Sequence, residues 1–460
     1  MNQTASHGRG VRRRNDDRRG DGGLRVGFLQ NERREARVSF EPPVLDGPVI
    51  VVGGGIVGLS CAWFLQAAGA EVIVLEAGAH TGGGASRGNA GAICPSQVEP
   101  LAAPGTVRMA LDDLRRPDAA LYVHPAYLPQ MAGFLTRFAR ASTTAAYDRG
   151  VHALAQLARG VTAAYDRLAE VGVGGHARRD GYLIVHGDRD TAAEQHARIV
   201  EMAALGVCAS PEPLLGAAEV RAHEPLLGDA ARAGFVIPGE RWIDASLLID
   251  DLSEALRAAG VHLRTGAPVS AVHDLGDAVE VDTPDDAVAG ALVVLAAGVW
   301  TRDLVAPLGV KLQLQAGKGY SFALHPARMP TRLLELSEAH VMATPVGDRL
   351  RIAGTMEFDG TTDRFRPERI QAIVRRLGPL LRDVDLTHRT EEWMGPRPMT
   401  PDGLPILGPL AAHPRVVLAT GHNMLGVTLG HVTGAVIAGL VAGDGPGIDL
   451  SPFAPARFRR

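Results

Sequence analysis

Hydrophobic and polar positions change period several times along the chain. From Val49 to Ala77 it reads VIVVGGGIVGLSCAWFLQAAGAEVIVLEA. A short apolar run meets three glycines, an apolar stretch of helical length follows, and a second apolar run ends in Glu76. That order predicts strand, turn, helix, strand. From Val107 to about Leu205, LPQMAGFLTRFARA and HALAQLARGVTAAYDRLAEVG place apolar residues at i, i+3 and i+4, which predicts helices. Asp180 and Gly181 turn the chain into the strand YLIVHG. Strand, helix and strand return in GFVIPGERWIDASLLIDDLSEALRAAGVHLRTGAPV, with Asp244 as helix cap and Gly260 as its stop.

AVEVD and ALVVLAAGVW add strands, the latter ending at Gly298. KLQLQAGKGYSFAL, HVMATPVG and RLRIAGTMEF alternate between turn residues, the mark of an antiparallel sheet. RPERIQAIVRRLGPLL is a helix, and VVLATGHNMLGVTLGHVTGAVIAGLV is a strand, a glycine-rich turn and an apolar helix. Parallel-type units thus open, divide and close the chain, with helices and antiparallel strands inserted between them. Residues 1–43 carry RGVRRRNDDRRGDGG without apolar periodicity and are expected to be a disordered, arginine-rich tail.

Composition narrows the class. The chain has 460 residues, 46% hydrophobic, with a net charge of −4, which suits two or more packed domains and argues against nucleic-acid binding. Cys61, Cys94 and Cys208 lie far apart, so no disulfide framework or metal site is implied and a reducing cytoplasm is expected. No apolar run is long enough to span a bilayer, so membrane contact is expected to be peripheral at most. Lys311 and Lys318 are the only lysines, and Lys318 is expected on the solvated side of its strand.

Candidate chemistry starts at the glycine turn. Gly53, Gly55 and Gly58 have G-x-G-x-x-G spacing. The first allows the sharp turn, the second admits a pyrophosphate to the backbone, and the third lets helix pack on strand. The helix starting near Ile56 directs free N–H groups at phosphate, and Glu76 stands where a carboxylate accepts from a ribose hydroxyl. The carboxylate favours FAD or NAD over NADP.

Further along stand SRGNAGAICPSQVEPLAAPG, KGYSF, WMGPRPMTPDGLPILG and LATGHNMLGVTLGHVTG. Together with the opening motif they resemble the FAD-dependent D-amino-acid oxidase superfamily, most closely its D-amino acid dehydrogenase branch, from Val49 to about Ala442. The resemblance implies a Rossmann-like α/β FAD-binding domain (44–91, 240–310 and 395–460). Interleaved with it is an α+β substrate domain (92–239 and 311–394) containing an antiparallel sheet. It implies noncovalent FAD held by Gly53, Gly55, Ile56, Val57, Gly58, Glu76, Ala77, Ser86, Arg87, Asn89, Ala90, Gly91, Val269, Ala297 and Gly298. Gly421, His422, Asn423, Leu425, Gly426 and Thr428, in the turn before the last helix, complete the set.

Arg397, in a loop stiffened by prolines, resembles the guanidinium that grips a substrate carboxylate; an ion pair to Asp402 is the alternative. Tyr320 is a second carboxylate donor or a half-buried sheet tyrosine, His422 a ring-facing or a helix-entry residue, and His431 a packing residue. Pro95 through Gly105 are expected to border the substrate entrance. The implied reaction is oxidation of the Cα–N bond of a D-amino acid by hydride transfer to the flavin. The imino acid then hydrolyses to a 2-oxo acid and ammonia, and a quinone or oxygen takes the electrons. Oxidation of a secondary amine such as D-hydroxyproline, proline or sarcosine, an NAD-dependent dehydrogenase, and a nonenzymatic flavin-binding subunit are the rival readings.

Overall fold

The computed structural model describes residues 45–458 except 114, 115 and 117. The arginine-rich tail expected at 1–43 lies outside the described residues. β1 (Val49–Val52), α1 (Ile56–Ala67) and β2 (Val72–Leu75) form the opening unit. After a long turn-rich passage come α2 (Leu128–Ala141), α3 (Thr144–Ala158), α4 (Val161–Ala169), β3 (Tyr182–His186), α5 (Arg189–Ala204) and β4 (Ala233–Ile237). Then follow α6 (Ala245–Ala258), β5 (His262–Arg264), β6 (Leu292–Leu295), β7 (Gln315–Leu324), β8 (Leu333–Leu336), β9 (Val341–Val346) and β10 (Arg349–Phe358). The chain closes with α7 (Pro367–Leu377), β11 (Thr390–Met399), β12 (Ile406–Leu410), β13 (His413–Thr420) and α8 (Gly426–Val441).

Two principal sheets organise these elements. One runs β12-β13-β6-β1-β2-β5, parallel except where β12 returns against β13. Its inner strands are apolar on both faces because both are covered. α1 and α8, nearly apolar all round, lie against one face with α6. Asp244 caps α6 as expected, its carboxylate accepting from Ser246 N at 2.8 Å, and Gly260 follows the helix at φ 82°.

The second sheet runs β11-β7-β10-β9-β8-β3-β4, with β7, β9 and β10 antiparallel neighbours as the alternation predicted. α7 covers one face through Ile370, Ile373 and Leu377. Leu154, Leu157 and Leu168 of α3 and α4 join the core of α1 and α8, whereas Met131 and Phe134 of α2 pack on Met356, Phe358 and Met399. One sequence expectation fails here. Lys318 is wholly buried, paired with Glu357 at 3.1 Å and Asp359 at 2.7 Å; partners that lie far off in sequence are invisible to strand alternation.

Candidate active site

Gly53 turns at φ 111°, and a Cβ on Gly58 would stand 1.9 Å from Gly53 O, so α1 meets the end of β1 at a distance only glycine allows. Glu76 ends β2 beside that turn; its carboxylate accepts from Gly54 N at 2.6 Å and Gly78 N at 2.8 Å. The Ser86 hydroxyl accepts from Ile56 N at 3.1 Å, occupying one of the free donors that open α1. These groups wall a cavity of about 720 Å³ that also touches Val57, Ala77, Asn89, Val269, Ala297, Gly298, His422, Asn423 and Gly426. A helix N-terminus, a glycine turn and an acid at the end of β2, all lining one cavity, fit an adenine dinucleotide such as FAD.

A second cavity, of about 520 Å³, lies between the antiparallel sheet and α2. Its walls are chiefly apolar and include Leu101, Met131, Phe134, Met342, Ala353 and Met356. Ala90, Leu425 and Thr428 line this one, with the Thr428 hydroxyl donating to Ala92 O at 3.0 Å. Ala85, Asn89, Arg397 and Met424 line both cavities, so they mark the junction.

Arg397 is on β11, an edge strand, and not on a loop. Pro396 and Pro398 are tolerated there because an edge strand has no outer neighbour to receive their missing N–H groups. Its guanidinium crosses β7 above Gly319, where a Cβ would stand 2.2 Å from Nη2, and Nη1 donates to Thr355 O at 2.9 Å. Thr355 holds φ 57°, an unusual conformation for a β-branched residue, and its carbonyl accepts from the arginine. Asp402 is paired instead with Arg457, and among the described residues no carboxylate is within ion-pair distance of Arg397. Burial draws its pKa down to about 10, so it stays cationic at neutral pH. A guanidinium left without a carboxylate partner in this way has the charge and planar fork to receive one from a ligand.

Other expected residues fare differently. Tyr320 borders the second cavity, but its hydroxyl donates to Glu357 at 2.5 Å, so its proton is already engaged and donation to a substrate carboxylate is lost. His422 lines the first cavity and bonds Thr433 Oγ1 through Nε2 at 2.9 Å; burial pulls its pKa to about 3, leaving the ring neutral. Arg87 lies outside both linings, paired with Asp250 and donating to Thr81 O at 2.7 Å. Gly58, Gly91 and Gly421 also fall outside both linings; Gly91 serves the packing of its loop on Ile243 O. Gly426 and Thr428 belong to α8 itself. Gln97 and Leu101 are the lining residues from the stretch expected at the entrance.

Sequence reading missed Thr355, Gly319, Tyr182 and Glu335. Only Glu335 left a trace, as an acid inside the apolar strand LLEL.

A glycine-turn nucleotide cradle joined to an apolar chamber at a buried guanidinium is the arrangement of a dinucleotide-dependent oxidoreductase. Residues 48–440 match the DAO family, FAD dependent oxidoreductase. The chain belongs to that family, and FAD is its cofactor. Relatives named D-amino acid dehydrogenase include one from Rhizorhabdus wittichii, 31% identical over 421 residues (89% of this chain, 100% of the relative). Another, from Paramagnetospirillum magneticum, is 33% identical over 433 residues (89% and 98%). Among solved structures, glycine oxidase from Geobacillus kaustophilus superposes with a TM-score of 0.67 at 24% identity, covering 89% of this chain and 98% of that one. L-proline dehydrogenase from P. horikoshii gives 0.65 at 18% identity, covering 91% and 99%. These last two speak for the fold alone.

Proposed function

We propose that the protein oxidises the Cα–N bond of D-amino acids. The observation that carries this reading is Arg397, cationic, without an acidic partner among the described residues, at the junction of the nucleotide cradle and the apolar chamber. Its planar fork receives the α-carboxylate, and Thr355 O holds the fork in place. The side chain of the substrate lies among Met342, Ala353 and Met356, on the apolar part of the chamber wall. FAD, when bound, supplies the acceptor for the hydride that leaves Cα. The substrate amine enters neutral, and its nitrogen lone pair forms the C=N bond as the hydride departs. Arg397, already charged, takes no proton, and neutral His422 holds the turn against α8 through Thr433. The imino acid then hydrolyses in water to a 2-oxo acid and ammonia. The relatives' name, dehydrogenase, supports an acceptor other than oxygen, and a quinone is the expected one. A quinone acceptor brings the protein to the membrane as a peripheral visitor, since no helix among the described residues is long and apolar enough to cross.

The test is anaerobic flavin bleaching by matched D-, L- and N-substituted amino acids. Bleaching by D-isomers is expected; bleaching by L-isomers alone refutes the reading. Arg397→Ala should raise the substrate concentration for half-bleaching by about a hundredfold, consistent with a lost charge-assisted bidentate pair, while FAD content stays the same. Unchanged half-saturation would remove Arg397 from the site.

A further inference from the structure

Glu335 lines the same chamber as Arg397. Its carboxylate accepts from Tyr182 Oη, from Gln195 Nε2 at 3.3 Å and from Ser337 Oγ at 3.3 Å. All three donors are neutral, and among the described residues no cation pairs with it. A half-buried carboxylate therefore faces an apolar chamber with its charge uncompensated, a costly arrangement unless a ligand brings the counter-charge.

Strand register gives the span. Glu335 is opposite Met342, and Met342 is opposite Ala353, two residues from the Thr355 whose carbonyl holds Arg397. Two strand spacings of ~4.8 Å and two residues of ~3.3 Å set the backbone positions about 12 Å apart. The Glu335 side chain reaches into that gap, and the apolar side chains of Met342 and Ala353 form the floor between the charges. A substrate seated by its carboxylate on Arg397 therefore has Glu335 in the same chamber, within the reach of a long side chain. We infer that Glu335 is a specificity residue for D-amino acids whose long side chain ends in an ammonium or guanidinium group. This inference rests on the proposed D-amino acid reaction. The apolar floor accepts a flexible methylene stem, the carboxylate pairs its charged tip, and acidic side chains are repelled.

The experiment compares D-lysine, D-arginine, D-norleucine and D-glutamate as substrates of the FAD-loaded protein, with calorimetric binding of ε-aminocaproate against hexanoate. The last pair lacks an α-amine, so binding is read without turnover. Preference for the cationic member by about tenfold or more is expected in both assays. Glu335→Gln should bring D-lysine down to D-norleucine and ε-aminocaproate down to hexanoate, leaving D-norleucine within about twofold of wild type, because the charge is removed at nearly the same shape and the Tyr182 hydroxyl can turn to accept from the new amide NH2. Glu335→Asp, which keeps the charge on a shorter arm, should retain preference for the longer D-arginine; FAD content and melting temperature verify folding of both. Equal treatment of charged and uncharged ligands by wild type, or an equal loss for all ligands in Glu335→Gln, overturns the inference and assigns Glu335 to packing. If D-norleucine is oxidised in that case, the reaction stands without the specificity. If no D-amino acid is oxidised, the reaction fails, and calorimetry alone judges the chamber.

Discussion

A single glycine decides how Arg397 can be used. The guanidinium crosses β7 above Gly319, and a methyl group there would overlap Nη2 at 2.2 Å. The obstructed atoms are the free end of a flexible side chain, so Gly319→Ala should fold and load FAD normally while pushing the guanidinium off its bond to Thr355 O. Misplacement by about 1 Å at such a site costs up to ~100-fold. A KM for D-amino acids raised at least tenfold, with FAD content unchanged, is the expected result. Unaltered kinetics would mean that the orientation held by Thr355 is not the productive one. At this scale the sequence was legible where chemistry follows from neighbours in the chain, as at Gly53, Gly58 and Glu76. It was illegible for Tyr320, because Glu357, which takes its proton, is brought alongside only by pairing of β7 with β10.

Between elements, Lys318 is the clearest case. Its ammonium is enclosed where β7, β10 and the segment leading to α7 meet, touching Glu357 and Asp359 and donating to Thr361 Oγ1 at 3.2 Å and Arg364 O at 2.8 Å. Arg366 also reaches both carboxylates, at 3.0 Å and 3.2 Å. Deleting the lysine charge leaves two buried carboxylates with one cation between them. Lys318→Met should cost about 3–5 kcal/mol, read as a lowered denaturation midpoint; an unchanged midpoint would show that Arg366 alone balances both acids. The strand was predictable from alternation, but its solvent side was not, because a period of two names two faces without saying what covers each.

Across the whole molecule, the chain passes repeatedly between its two sheets, and buried polar groups collect where it crosses. Glu240, just before the strand segment Arg241–Trp242 that pairs with Ala92–Ile93, is 3% exposed and accepts from Ser96 N at 3.1 Å. Burial raises its pKa from 4.5 to about 7. Between those values the folded protein keeps a proton that the unfolded chain has released, so stability falls as pH rises through the window and levels off above it. The loss from this group is at most about 3 kcal/mol. Glu240→Gln should therefore flatten the decline in denaturation midpoint between pH 5 and pH 8. An identical decline in both proteins would show that the carboxyl stays ionised through hydration.

The sequence by itself determined the nucleotide turn, the order of elements and family membership, because each is written in residues close together along the chain. Helix and strand periods and the 53–58 glycine spacing need no distant partner. Only the tertiary structure decided that Arg397 is free while Asp402 belongs to Arg457, that Arg87 is spent on Asp250, and that Glu335 looks down the same chamber. Whether a charge is available to a ligand depends on what surrounds it in space, and those surroundings come from segments tens to hundreds of residues away.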